Sequence, residues 1–172
     1  MTPLNRVDKQ LSRRFSLPPN TPGWQVARIV AHLGDGPYIF SGLGLAWLAG
    51  WLNDDTTWRW TIMAIFLDVL LAMAVVTLIK YSVRRARPHP PGEFVAWQYD
   101  KYSFPSGHAA RLAALTVGVA RWYPGWGYLI GGAALGVAAA RVLVGVHYVS
   151  DILVGLLVGG IVSGLFLYLF MG

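Results

Sequence analysis

The chain contains no cysteine. Disulfides and thiolate metal sites are therefore excluded, and its redox compartment leaves no mark on the composition. Charge is scarce too: charged residues make up 13% of the 172 positions, about half the share usual in a soluble domain. Only eight residues are acids, and no pair of them stands beside the basic motifs in a way that suits a divalent cation. Internal repeats and low-complexity tails are absent. So is the apolar stretch of a cleavable signal, because Arg6, Lys9, Arg13 and Arg14 are spread through a polar segment and Pro18, Pro19 and Pro22 follow.

What the chain has is apolar surface. Hydrophobic residues reach 55%, with eight Trp and eight Tyr, side chains that favour the membrane–water boundary. A protein this small cannot hide so much apolar area in its own core, so the bilayer is its main solvent. The net charge of +6 raises the question of nucleic acid. The basic residues, however, sit at the edges of apolar runs, which fits phosphate headgroups or anionic lipid and makes a poor duplex platform.

Hydropathy predicts an all-α, polytopic membrane bundle of about five transmembrane helices. The expected spans are Tyr38 to Leu52 (short, and extended by the amphipathic stretch from Trp24 to His32), Trp58 to Tyr81, Ser106 to Trp122, Tyr128 to Val144, and Ser150 to Phe170. A sixth would have to hide in the first 52 residues, and Trp24 to Leu52 is too short for two full crossings. Leu4, Val7, Leu11 and Phe15 recur at helical spacing opposite the N-terminal charges. Residues 1–23 are accordingly expected as an amphipathic interfacial helix, and residues 24–172 as the membrane-embedded domain. Glycines crowd the last two spans and let helices approach closely.

With short hairpins between spans, three polar segments fall on one membrane face. The first is Lys80, Arg84, Arg85 and Arg87 before Pro88; Lys80 and Arg87 are two helical turns apart, so both can project to one side. Alone, this cluster reads equally as a headgroup anchor. The second is Phe104-Pro105-Ser106-Gly107-His108, a helix start with free backbone amides, room at Gly107, and an imidazole able to move a proton near neutral pH. Alone, it is an ordinary helix start. The third is Arg141, His147 and Asp151, where a carboxylate four residues on can hold one ring nitrogen and leave the other as a nucleophile. Asp151 alone is a helix N-terminal charge.

Together they are specific. Lys80-x6-Arg87-Pro88, Pro105-Ser106-Gly107-His108 and Arg141-x5-His147-x3-Asp151 resemble, in order, the three motifs of the type 2 phosphatidic acid phosphatase superfamily. The resemblance implies a membrane enzyme that removes phosphate from a lipid phosphate without metal or cofactor. His147 would be the nucleophile, Asp151 its orienting partner, and His108 the acid and then base. Lys80, Arg87, Arg141, Ser106 and the amide of Gly107 would hold the phosphate oxygens, a division of labour that suits phosphoryl transfer. One departure stands out. The third motif usually begins Ser-Arg, and here Ala140 precedes Arg141, so weaker phosphate binding or altered preference is expected.

Arg111, three residues past His108, is an accessory candidate for a second phosphate, for support of His108, or for a structural ion pair. Asp68, mid-span, is not expected in the site, and His32 and His89 read as structural or solvated. The substrate classes implied are undecaprenyl diphosphate, phosphatidylglycerophosphate, phosphatidic acid and lipid A phosphates, with a bacterial isoprenoid or glycerolipid phosphate first. A lipid-diphosphate-dependent phosphotransferase and a non-catalytic lipid-binding or transport protein are the rivals, and the paired histidines argue against the latter. Partners are thus a lipid phosphate and the bilayer, with no nucleic acid, in a bacterial inner membrane. Basic N-terminal residues favour a cytoplasmic site by the positive-inside tendency, whereas the resemblance favours the outer face, and we expect the latter.

Overall fold

A computed structural model describes residues 3–88 and 101–171. They form seven helices: α1 (Pro3–Phe15), α2 (Pro22–His32), α3 (Gly36–Leu52), α4 (Thr56–Val83), α5 (Gly107–Trp122), α6 (Pro124–Leu143) and α7 (Val149–Met171). No strand occurs among the described residues. His89 and most of the proline-rich loop expected between the second and third spans lie outside them.

Local chemistry sets the helix starts. Thr21 caps α2 by accepting from the Trp24 amide at 3.3 Å, with Pro22 in the first turn. Asp55 caps α4 at the Trp58 amide, 2.9 Å. The Ser106 hydroxyl accepts from the Ala109 amide at 3.4 Å and opens α5, and Pro124 opens α6. The stretch from Trp24 to His32 does not extend the first span. It is a separate helix, α2, broken from α3 by the Leu33-Gly34-Asp35 turn and packed on α6.

Among the described residues three helices are long and apolar enough to cross a membrane: α4, α6 and α7 through Phe170. α3 and α5 are shorter, at 17 and 16 residues. α5 is the hub, packed on α4, α6 and α7. Its contact with α7 is backbone-close: a methyl on Gly155 would stand 2.5 Å from the Ser106 carbonyl, and one on Gly159 would run into the Ala110 backbone. The core gathers Ile65, Val69 and Ala72 of α4 against Leu112 and Ala114 of α5 and Ala134 of α6. Asp68 is fully buried away from the polar end, accepting from the Ser163 hydroxyl at 2.5 Å. Outward faces carry exposed leucines such as Leu70, Leu78, Leu157 and Leu165, an arrangement suited to lipid contact.

α1 turns its polar side inward. Val149 and Ser150, at the start of α7, donate their amides to Ser12 Oγ (3.0 Å) and Asp8 Oδ1 (3.2 Å). The helix thereby supplies two of the four orphan donors of α7 with acceptors. Val7, Leu11 and Phe15 remain exposed on its other side.

Candidate active site

α4, α5, α6 and α7 all bring an end to the same face of the bundle, and the three sequence motifs meet there. His147 lies in the turn between α6 and α7. Gly145 makes that turn possible with φ 77°, and the amides of Val146 and His147 close it on the Arg141 carbonyl. His147 is fully buried. Its Nδ1 lies 2.9 Å from the Ser103 carbonyl, an acceptor only, so Nδ1 carries the proton and Nε2 presents its lone pair. Arg87 Nη1 and Arg141 Nη2 each stand 3.5 Å from Nε2. Arg87 is steadied by donating to the Val146 carbonyl at 3.0 Å.

The expectation that Asp151 directly orients His147 needs revision. Asp151 Oδ2 is 3.6 Å from Nδ1, beyond hydrogen-bond reach, and accepts instead from the Tyr148 amide at 2.9 Å. Its other oxygen accepts from Arg85 at 2.7 Å. The same guanidinium donates to Asp8 (2.6 Å) and Ser150 (2.7 Å) and lies 4.1 Å over the Tyr148 ring. Burial would lower the Arg85 pKa, but the bonds to Asp8 and Asp151 outweigh it and the value is raised. Asp151 thus fixes the turn that carries His147, and a backbone carbonyl holds the ring.

His108 occupies the first turn of α5, and its Nε2 meets Asp35 Oδ1 at 2.5 Å. The other Asp35 oxygen meets His32 Nδ1 at 2.8 Å. Burial alone would raise the Asp35 pKa; the hydrogen bonds to His108 and then His32 more than reverse it and bring it to about 2. Asp35 is therefore ionised at neutral pH. Arg111 donates to the Gly34 carbonyl at 2.8 Å and so pins the turn that carries Asp35. His32, read from sequence as structural or solvated, belongs to this relay.

The remaining candidates sit as follows. Lys80 is buried in the last turn of α4, and Arg141 in the last turn of α6. The Ser106 amide is taken by the Asp151 carbonyl at 2.9 Å, while Gly107 faces open space, with nothing within 4 Å of an added Cβ. Ala140 clusters with Ala27 and Ala31 of α2, so a hydroxyl there would enter a helix interface. A cavity of about 180 Å³ reaches His147, Arg87 and Tyr148, and its other wall is Lys9, Ser12 and Arg13 of α1. Among the described residues no group of three or more His, Cys, Asp or Glu is placed to hold a metal ion.

Sequence reasoning missed Asp35, Ser103 and Asp8, and it named Arg85 only as one of a basic cluster, not as the partner of Asp8 and Asp151. Asp35 has the signature of a helix cap before Pro37, and a carbonyl such as that of Ser103 has no signature at all.

Residues 61–172 match the PAP2 superfamily. The chain is 34% identical over 144 residues to the decaprenylphosphoryl-5-phosphoribose phosphatase of Mycobacterium tuberculosis, covering 81% of this chain and 76% of that protein. It is 32% identical over 108 residues to the lipid A 1-phosphatase of Rhizobium etli, covering 59% of this chain and 47% of that one, so the match spans about half of that relative's length. Among solved structures, a PAP2 type phosphatidylglycerolphosphate phosphatase from Bacillus subtilis superposes with a TM-score of 0.79 at 22% identity, over 98% of this chain and 87% of that chain. LpxE from Aquifex aeolicus superposes at 0.74 with 20% identity, over 92% and 93%.

Proposed function

The chain belongs to the PAP2 superfamily, and from that premise we propose that it is an integral membrane phosphatase releasing a terminal phosphate from a lipid phosphate or diphosphate. The observation that carries the proposal is the setting of His147, whose Nδ1 lies 2.9 Å from the Ser103 carbonyl while Nε2 faces two guanidinium groups at 3.5 Å.

In this reading Nε2 attacks phosphorus as the bond to the leaving oxygen breaks, giving a phosphohistidine. Arg87, Arg141 and Lys80 carry the charge on the equatorial oxygens, with Ser106 and the Gly107 amide. His108 protonates the departing alcohol or phosphate. It then takes a proton from the water that attacks the phosphohistidine, which frees inorganic phosphate and restores His147. Asp35 holds His108 in orientation throughout. Asp151 acts one step back, through the turn it fixes with Arg85.

An isoprenoid or glycerolipid phosphate (undecaprenyl diphosphate, phosphatidylglycerophosphate or phosphatidic acid class) is the substrate we favour. The mycobacterial relative, matched over most of both chains, supports the isoprenoid side. Lipid A 1-phosphate is the second reading, favoured by the Rhizobium relative. We place α3 to α7 as five crossings of a bacterial inner membrane with the site at the outer face. Two of the N-terminal cations that argue for a cytoplasmic site, Lys9 and Arg13, line the cavity, which gives their charge a use other than topology.

Phosphate release by purified protein in detergent with EDTA, across these lipids, tests the proposal. Release that disappears in His147→Ala is expected. No release from any lipid by folded wild type overturns it.

A further inference from the structure

The motif cations Lys80, Arg87 and Arg141 account for one transferable phosphoryl group. Of these Arg87 lines the cavity, beside His147 and two cations outside the motifs. The cavity's volume of about 180 Å³ is far above the roughly 10–15 Å³ that admits one water, and the wall facing His147 and Arg87 adds the two cations, Lys9 and Arg13. These are four residues apart on α1, hence on one helical face. That face is fixed against the site. Asp8 takes Arg85 Nη2 at 2.6 Å and the Ser150 amide at 3.2 Å, and Ser12 takes the Val149 amide at 3.0 Å, two residues from His147. Meanwhile Val7, Leu11 and Phe15 are 62%, 41% and 50% exposed on the opposite side, where lipid chains can run beside them.

We infer that Lys9 and Arg13 of α1 form a subsite for a second anionic group, an internal phosphodiester or a second phosphate, on the lipid whose terminal phosphate His147 attacks. This rests on the proposed phosphatase function and narrows its substrate class to lipids with two anionic groups in the headgroup. The docked α1 supplies the subsite, and its exposed apolar stripe sets the headgroup at cavity depth.

The test compares two lipids of equal acyl length in detergent: phosphatidylglycerophosphate, with an internal phosphodiester and a terminal phosphate, and phosphatidic acid, with one phosphate. For Lys9→Gln/Arg13→Gln we expect kcat/KM on the first to fall about 10–100-fold, chiefly through KM, as loss of charge-assisted bonds implies. On phosphatidic acid the fall should stay below about threefold, and the melting temperature should hold. Lys9→Arg/Arg13→Lys, which keeps both charges, should retain most activity on both lipids. Equal losses on the two lipids, no loss on either, or a wild-type preference for phosphatidic acid would overturn the subsite while leaving the phosphatase reading intact. Wild type inactive on both overturns the subsite; only inactivity on every lipid phosphate of the wider panel overturns the phosphatase reading as well.

Discussion

Asp35 stands at the N-cap of α3, where a carboxylate ordinarily accepts from the amides of its own helix. It makes no such side-chain bond; one oxygen serves His108 and the other His32. A carboxylate so used holds in one orientation the imidazole that we propose as general acid and base. Asp35→Asn should therefore lower kcat about 10–100-fold with KM changed less than about twofold, and Asp35→Glu should recover part of the loss. The folded pKa of about 2 lies below the ordinary 3.8. The ionised form is thus favoured by folding, contributing about 2 kcal/mol above pH 4. That contribution disappears as pH falls through about 2. Thermal melts of wild type and Asp35→Asn should accordingly differ at pH 7 and converge toward pH 2; a constant gap would show that the carboxylate's charge is not the source. None of this pairing was legible in the sequence, because Asp35 and His108 are 73 residues apart and Gly-Asp-Gly-Pro reads as an ordinary helix start. His147 was legible together with Arg141 of its own motif and Arg87 two motifs earlier, since motif order and helix spacing bring them to one face without any knowledge of packing.

Helices show the same division. Apolar runs and prolines located α3 to α7 to within a few residues, because span length and turn chemistry are local properties. The amphipathicity of α1 was equally visible, but not which partner each face would take. The charged side suggested headgroups; in the structure Asp8 and Ser12 of that side dock onto the start of α7. Glycine content announced close packing without saying which glycine is needed. Adjacent positions on α7 now separate. A methyl on Gly159 would overlap the Ala110 backbone, whereas one on Gly160 meets nothing within 4 Å. Gly159→Ala should destabilise by about 1–3 kcal/mol or more, since backbone cannot yield as a side chain does. Gly160→Ala should be neutral or slightly stabilising, as alanine favours helix. Melting temperatures in one detergent check both, and equal effects would mean that α5 and α7 are not in backbone contact.

At the scale of the whole molecule, the fold joins chemistry to a membrane side. α3 descends from the candidate-site end to the Asn53-Asp54-Asp55 turn, α4 returns, α5 leaves again to Tyr123, α6 returns to the turn that carries His147, and α7 leaves once more. In the proposed five-crossing arrangement, α1, α2 and the proposed catalytic groups stand at one end and the Asn53–Asp55 turn at the other. The positive-inside tendency and the proposed outer-face site then make opposite statements about the same chain. Because the sequence has no cysteine, single cysteines decide between them without background. Gln10 and Asp54 are both exposed and carry no motif role. In intact bacterial cells a membrane-impermeant maleimide should label Gln10→Cys and spare Asp54→Cys until the cells are opened. The reverse pattern would put the site in the cytoplasm, where the substrate must be a lipid phosphate of the inner leaflet. Labelling of both in intact cells would mean that α3 and α5, the two shorter helices, do not separate the two ends across a bilayer, and that the five-crossing arrangement is wrong.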